Sequence, residues 1–217
     1  CLPKANNYVF ITKEEFEKKY NIKKIIDREF EQNQLILMDK PTDGQVSTCL
    51  LAKDDISENE SLLISPCDSS VIWDQKKFSN LLEYKGLDAI IWTFRKNATV
   101  ARNPHMYGWV KTKDGQLADF ISCKKSISEN PVNDHAIVGT FWFKNAKNFF
   151  HYGQELIKKD IRINGEFYVD EMMNLLINDN LKVGIFEVEK YLCWGTPNDL
   201  KTYNYWKEFF NKDYGIQ

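Results

Sequence analysis

Residues 61–95 read SLLISPCDSSVIWDQKKFSNLLEYKGLDAIIWTFR, and this stretch decides the architecture. Ser61 to Ser65 is an apolar run of strand length that ends in Pro66-Cys67-Asp68. Gln75 to Glu83 reads as a helix, with Asp74 placed as its N-cap. Asp88 to Arg95 is a second apolar strand. Toward the N-terminus the alternation repeats. Asn7 to Ile11 (NYVFI) and Gln34 to Met38 (QLILM) have strand length. Between them, Thr12-Lys13-Glu14-Glu15 has the capping-box pattern of a helix running through Phe16, Tyr20 and Ile22 toward Asp27. Asp43-Gly44 marks a turn before a helix over Val46 to Lys53.

Beyond residue 95 the rhythm changes. Tyr107 to Lys113 and Gln116 to Lys124 flank Asp114-Gly115, a strong hairpin signal. Ala136 to Phe143 is a strand with an interior glycine, followed by helices over 146–159 and 170–178. Lys182 to Cys193 is strand-like, and the last helix opens at Thr196-Pro197, where Thr is a good N-cap and Pro a tolerated first residue. The sum predicts an α/β fold: a Rossmann-like mixed sheet, mostly parallel, flanked by helices, with an antiparallel hairpin annex. No repeat or linker divides the chain, so residues 1–217 are expected to form a single domain.

The chain can bury a sizeable core without metal or disulfide. Its 29 basic and 31 acidic residues give a net charge of −2, which speaks against nucleic acid as a partner. No apolar run approaches the length of a membrane span. Cysteines stand at 1, 49, 67, 123 and 193, an odd number without a C-x-x-C pair, so neither a disulfide scaffold nor a zinc knuckle is expected and a cytoplasmic location fits best. A lipid-bearing Cys1 is set aside, because a strand pattern follows almost at once; a chain beginning inside a longer protein is expected instead.

In open α/β sheets ligands bind beyond the carboxyl ends of strands. Asp68 ends a strand there; such a carboxylate can hold Mg²⁺ and through it phosphate oxygens, although a turn or cap role is the plainer reading. Gly44 allows close backbone approach, and Gln45 offers both donor and acceptor to a base edge. Lys124 and Lys125 carry compact charges suited to a phosphate, or are simply solvated. Glu166 can accept hydrogen bonds from hydroxyls, or serve as a helix-start charge. His105, His135 and His151 share no metal spacing, and no Walker-type loop is present.

Taken in order, these signals become specific. Asn164 to Leu200 reads NGEFYVD, a helix, then KVGIFEVEKYLCWGTPNDL. Upstream stand D-G-Q around Gly44, a strand ending at Asp68, Y-G-W-V at 107–110, Lys124-Lys125 and I-V-G at 137–139. The succession resembles the sugar-phosphate nucleotidyltransferases, such as glucose-1-phosphate thymidylyl- and cytidylyltransferases, above all a compact bacterial branch serving capsule and lipopolysaccharide synthesis. The resemblance covers nearly the whole chain. It implies transfer of a nucleoside monophosphate from a nucleoside triphosphate to a sugar 1-phosphate or similar phosphomonoester, with release of pyrophosphate and Mg²⁺ as cofactor. By the same resemblance, Asp68 is the metal ligand and a catalytic residue, Gly44 and Gln45 meet the base, and Gly108, Gly139 and Glu166 lie against the acceptor. Lys124 or Lys125 takes the acceptor phosphate, with Lys125 preferred and counted with Asp68 as catalytic.

The sequence also departs from that family. The glycine-rich loop after the first strand, with its Arg and downstream Lys-Pro, does not occur in the 217 residues. The first βα unit, roughly 30 residues or more, is thus expected to be missing, the domain N-terminally incomplete, and the chain alone inactive. Cys193 stands where many members carry a further metal-binding Asp, and Cys123 or Lys124 replaces the acidic residue before the phosphate lysine. Three other readings stay open: a glycosyltransferase of similar sheet architecture; a cytidylyltransferase for a non-sugar phosphate such as phosphocholine, suggested by Trp73, Trp92, Tyr107, Trp109, Trp142 and Trp194, although strand core is the favoured reading of these aromatics; and a non-catalytic nucleotide-sugar-binding domain. The base, the acceptor and any homo-oligomer are not legible.

Overall fold

The computed structural model describes residues 2–83 and 86–213. Its strands are β1 (Tyr8–Lys13), β2 (Asn33–Met38), β3 (Leu62–Ile64), β4 (Ser69–Ile72), β5 (Ala89–Phe94), β6 (Trp109–Lys113), β7 (Leu117–Ser122), β8 (His135–Phe143), β9 (Val183–Glu187) and β10 (Lys190–Cys193). Its helices are α1 (Glu14–Tyr20), α2 (Ile22–Glu29), α3 (Gln45–Leu50), α4 (Gln75–Glu83), α5 (Ala98–Arg102), α6 (Ala146–Lys158), α7 (Val169–Asn178) and α8 (Pro197–Asp213).

The expected α/β layering is present, but the main sheet is not mostly parallel. Six strands lie in the order β3-β8-β5-β9-β7-β6, and β6 also pairs with the start of β8. Hydrogen bonding therefore runs in a closed circuit through β8, β5, β9, β7 and β6, with β3 as an extra strand. Within this sheet β5–β9 is the parallel pair; β3–β8, β5–β8, β6–β7, β6–β8 and β7–β9 are antiparallel. The physical reason is β8. It is reached from the hairpin rather than through a helical crossover, so it enters antiparallel between β3 and β5. For the same reason the hairpin is no annex, since both its strands are built into the sheet. A separate parallel pair, β1–β2, and an antiparallel pair, β4–β10, complete the topology.

Other local readings are corrected too. Thr12 caps no helix, because it pairs with Leu37 and the strand continues through Lys13, which stands at the N-cap without a side-chain bond. The single helix expected to Asp27 is two helices, broken at Asn21 in the left-handed conformation (φ 52°). The strand read over 182–193 is also two. Val188 still donates to Thr93 O (2.8 Å), but Glu189 donates to Ile72 O (2.8 Å), so the chain leaves β5 and continues along β4.

β5 is buried along its whole length, as a strand covered on both faces must be. Ala89 and Ile91 pack with Phe141, Phe143, Phe149 and α7's Met172 and Met173; Ile90, Trp92 and Phe94 pack on the other face with Val71, Phe78 and Phe186. Each such apolar side chain contributes about 2 kcal/mol by leaving water. α6 and α7 contribute to the first layer and α4 to the second. Trp92 and Trp109 are wholly buried and Tyr107 nearly so, which makes these aromatics core rather than ligand cage. No helix among the described residues is long and apolar enough to cross a membrane.

Candidate functional site

Asp68 follows β3 on the segment Ser65–Asp68. Ser65 Oγ lies 3.1 Å from Thr140 Oγ1, and Pro66 packs against Gly139, where φ is 95° and a Cβ would stand 3.2 Å from Pro66 Cγ, a tight contact in a conformation that strains other residues. The Asp68 carbonyl accepts from Trp194 N–H (2.8 Å), while its exposed carboxylate faces Gly195 (Oδ2 3.3 Å from a Cβ placed there). Cys193 Sγ reaches the same point at 3.6 Å. The 193–196 turn is fixed by a capping box. Thr196 Oγ1 accepts from Asp199 N–H (3.2 Å) and donates to Asp199 Oδ2 (2.6 Å), which also accepts from Thr196 N–H (3.2 Å). The carboxylate of Asp199 is thereby committed to its helix.

A second cluster grows from the Asn164-Gly165 turn. Both residues have positive φ (51° and 85°), and Ile163 and Glu166 exchange backbone bonds of 3.0 Å across them. The next residue clamps the Asp43–Val46 segment: Phe167 N–H donates to Asp43 O (2.7 Å), and Val46 N–H donates to Phe167 O (3.0 Å). Gly44 lies in between at φ 116°, so Gly44 and Gln45 stand beside the exposed Glu166. Arg162 locks the junction, donating to Asp43 Oδ2 (3.1 Å) and lying 4.0 Å over the Phe167 ring.

The third group surrounds residues 106–108. Lys124, at φ 59°, turns its ammonium inward to donate to Met106 O (2.7 Å), 5.0 Å over the Tyr168 ring. Lys125, preferred from the sequence, is exposed, and its carbonyl accepts from Ser122 Oγ (2.6 Å). Gly108 O accepts from Ile137 N–H (2.8 Å), and Gly108 presses on the carboxylate of Asp170. Burial pushes that carboxyl up to about 6, while the Lys124 charge pulls it back. Burial, then a hydrogen bond with Glu166, raises the Tyr168 phenol.

These groups are linked. Tyr107 packs edge-on to Tyr191 (6.3 Å), which stacks on Phe94 (4.2 Å) and stands two residues before Cys193. Burial is the main cause that raises the Tyr107 phenol, and the nearby Cys193 and Asp199 add to it. The sequence reading did not single out Asp170 and Tyr191. The signal for Asp170 was a carboxylate set between the apolar Val169 and Met172.

Asp68 is the carboxylate that could hold a divalent cation. Among the described residues no group of three or more His, Cys, Asp or Glu is placed to do so. The donor set still suits Mg²⁺, which is commonly held by one or two carboxylates with substrate phosphates and water; the Cys193 thiol is a poor ligand for it. Two surface concavities, of about 490 and 760 Å³, lie elsewhere, sharing Arg95, Ile185 and Glu187 and containing none of the expected site residues. Their open, charged lining carries no convergent chemistry, and the cluster above carries the functional argument.

No protein-family model and no curated protein matches the chain. Solved structures do. A nucleoside-diphosphate-sugar pyrophosphorylase from Vibrio cholerae superposes with a TM-score of 0.70 at 15% identity, covering 91% of this chain and 80% of that one. A putative glucose-1-phosphate thymidylyltransferase from Bacillus anthracis gives 0.68 at 16%, covering 91% and 74%. The inositol-1-phosphate CTP transferase from T. maritima gives 0.69 at 13%, covering 96% and 78%. At such identities the likeness is one of fold, and the fold is the one that the sequence resemblance implied.

Proposed function

We propose that the chain is a nucleotidyltransferase domain that moves a nucleoside monophosphate from a nucleoside triphosphate to a sugar 1-phosphate or similar phosphomonoester, in cytoplasmic synthesis of capsule or lipopolysaccharide precursors. The observation that supports this reading is a set of three close approaches: Gly44 on Phe167 beside Glu166, Gly108 on Asp170 beside Lys124, and Asp68 on Gly195. The Tyr168–Glu166 hydrogen bond and the Tyr107–Tyr191 ring contact join them in a chain. They lie on a fold shared with three enzymes named for nucleotidyl transfer or pyrophosphorolysis.

An oxygen of the acceptor phosphate attacks the α-phosphorus in line; that P–O bond forms as the bond to the β-phosphate oxygen breaks, and pyrophosphate leaves. Such chemistry needs positioning and charge neutralisation rather than a protein nucleophile. Gly44 and Gln45 receive the base. Gly108 and Gly139 let the segments on the acceptor side close against Asp170 and Pro66, and Glu166 accepts from the acceptor's hydroxyls. Lys124, with Lys125 beside it, neutralises the acceptor phosphate. Asp68 would hold Mg²⁺, which supplies charge neutralisation at the triphosphate.

The acceptor class stays broad, because one neighbour is named for inositol 1-phosphate and two for sugar substrates. The argument for choline phosphate is weakened, since Trp92, Trp109 and Tyr107 are core, and it rests only on the half-buried Trp73, Trp142 and Trp194. The 217 residues hold no glycine-rich loop, so the test reads binding rather than turnover. The four common nucleoside triphosphates are screened by thermal shift with Mg²⁺. One base should stabilise the fold by mass action. If none does, and none competes with a nucleotide sugar either, the reading fails.

A further inference from the structure

Asp170 is the one buried carboxylate among the described residues, 8% exposed. It stands in the first turn of α7, and its Oδ2 occupies the space a Cβ at Gly108 would need. Lys124 is the neighbouring cation: it donates to Met106 O, two residues before Gly108, and lies over the ring of Tyr168, two residues before Asp170, so that its charge reaches the carboxylate through space. Three segments thus converge on one carboxylate: 106–108, 123–124 and 168–171. Glu171, Cys123 and Tyr168 are the other titratable groups coupled to it.

We propose that Asp170 is the resident counter-charge of Lys124, and that an acceptor phosphate reaching this lysine displaces it, so that binding is accompanied by proton uptake from solvent onto Asp170. The proposal rests on the reading above, in which Lys124 and Lys125 take the acceptor phosphate. Like charges around one ammonium disfavour the ionised form of the weaker acid. Burial has already lifted the Asp170 carboxyl to about 6, so a modest further push neutralises it near physiological pH. Asp170 is therefore a positioning residue. Ionised, it attracts the ammonium that Met106 O holds over Tyr168; neutral, it leaves that ammonium to the phosphate.

Sulfate is the probe, because it stays a dianion between about pH 5 and 8, and any proton taken up belongs to the protein. All samples carry His105→Gln, which removes the exposed imidazole beside Met106. Calorimetry in two buffers of different ionisation enthalpy counts the protons. The parent should take up a fraction of a proton per sulfate near pH 6.5, and its affinity should rise on acidification by up to roughly tenfold for each unit by which the carboxyl pKa rises on binding. Asp170→Asn should take up none and bind sulfate at pH 7.5 as tightly as the parent does in acid. Equal uptake by both proteins, or binding without uptake, overturns the proposal. Should the variant not fold, the ¹³C carboxyl shift of Asp170 in the parent decides, and a pKa unmoved by sulfate is fatal. No sulfate binding, or binding that Lys124→Ala and Lys125→Ala leave intact, strikes the acceptor-site reading instead.

Discussion

Gly44 lies directly against the backbone of Phe167: a Cβ at residue 44 would stand 2.7 Å from Phe167 N and 2.8 Å from its O. Backbone in a two-bond clamp cannot yield as a side-chain tip can. Gly44→Ala should therefore cost about 2 kcal/mol or more, from overpacking together with strain at φ 116°. Gly165→Ala is the control, with φ 85° and nothing within 4 Å of its Cβ, and should cost only about 1 kcal/mol. Urea midpoints of both variants check the difference. Equal losses would mean that backbone strain alone, and not the 44–167 contact, holds this edge.

Asp68 is exposed, and the bond it makes to Trp194 uses its carbonyl, not its carboxylate. Asp68→Asn should leave the melting temperature within about 2 °C of the parent. It should weaken binding of a nucleoside triphosphate with Mg²⁺ about tenfold or more, while leaving binding in EDTA unchanged. Titration calorimetry with and without metal separates the two. Loss of affinity under both conditions would assign Asp68 to the nucleotide directly and remove it from the metal.

Much of this architecture could be read from local patterns, because local physics decides it. The all-apolar β5, the Asp114-Gly115 hairpin with both residues at positive φ, and the Thr196-Pro197 helix start are each set by neighbours in sequence. The direction of β8 is not. Its residues suit either orientation, and only the route through the hairpin makes it antiparallel. Asn21 and the crossing at Val188–Glu189 are likewise decided by what the chain meets next. At the site, Gly44 was legible as a point of close backbone approach. Which of two adjacent lysines turns inward was not, since that depends on the left-handed φ of Lys124.

His135 and Glu187 should make the fold acid-sensitive in two separate windows. His135 Nδ1 lies 3.0 Å from Thr93 Oγ1, and burial, then the Arg95 charge, holds its imidazole pKa below the ordinary 6.5. A depressed pKa means that the native state binds fewer protons. Its contribution is full above about 6.5 and is lost as pH falls through the lower native value. Glu187, held down chiefly by its hydrogen bonds from Arg95 (2.9 and 2.7 Å), behaves alike from its ordinary 4.5 downward. This pair is over a third exposed, so solvent screening limits it to about 0.5–1 kcal/mol. His135→Asn should flatten the stability profile just below about pH 6.5, and Glu187→Gln only below about 4.5. Urea unfolding across pH measures both. A profile that His135→Asn leaves unchanged would show that the imidazole binds protons equally in the folded and unfolded chain.

Asp170 should act with the opposite sign. Burial raises its carboxyl from 3.8 to about 6, so the native state binds the proton more tightly than the unfolded chain does. The stability it supplies is fully present below about 3.8 and is lost as pH rises through about 6. At pH 7.5 the wild type therefore carries a buried charge that Lys124 only partly offsets, at a cost of about 3 kcal/mol. Asp170→Asn keeps the size of the side chain and removes the charge. It should be more stable than the parent by that amount at pH 7.5, and the gain should vanish below about pH 4. A variant less stable than wild type at pH 7.5 would mean that attraction to the Lys124 charge outweighs desolvation. The carboxylate would then be too firmly held to give way to a phosphate.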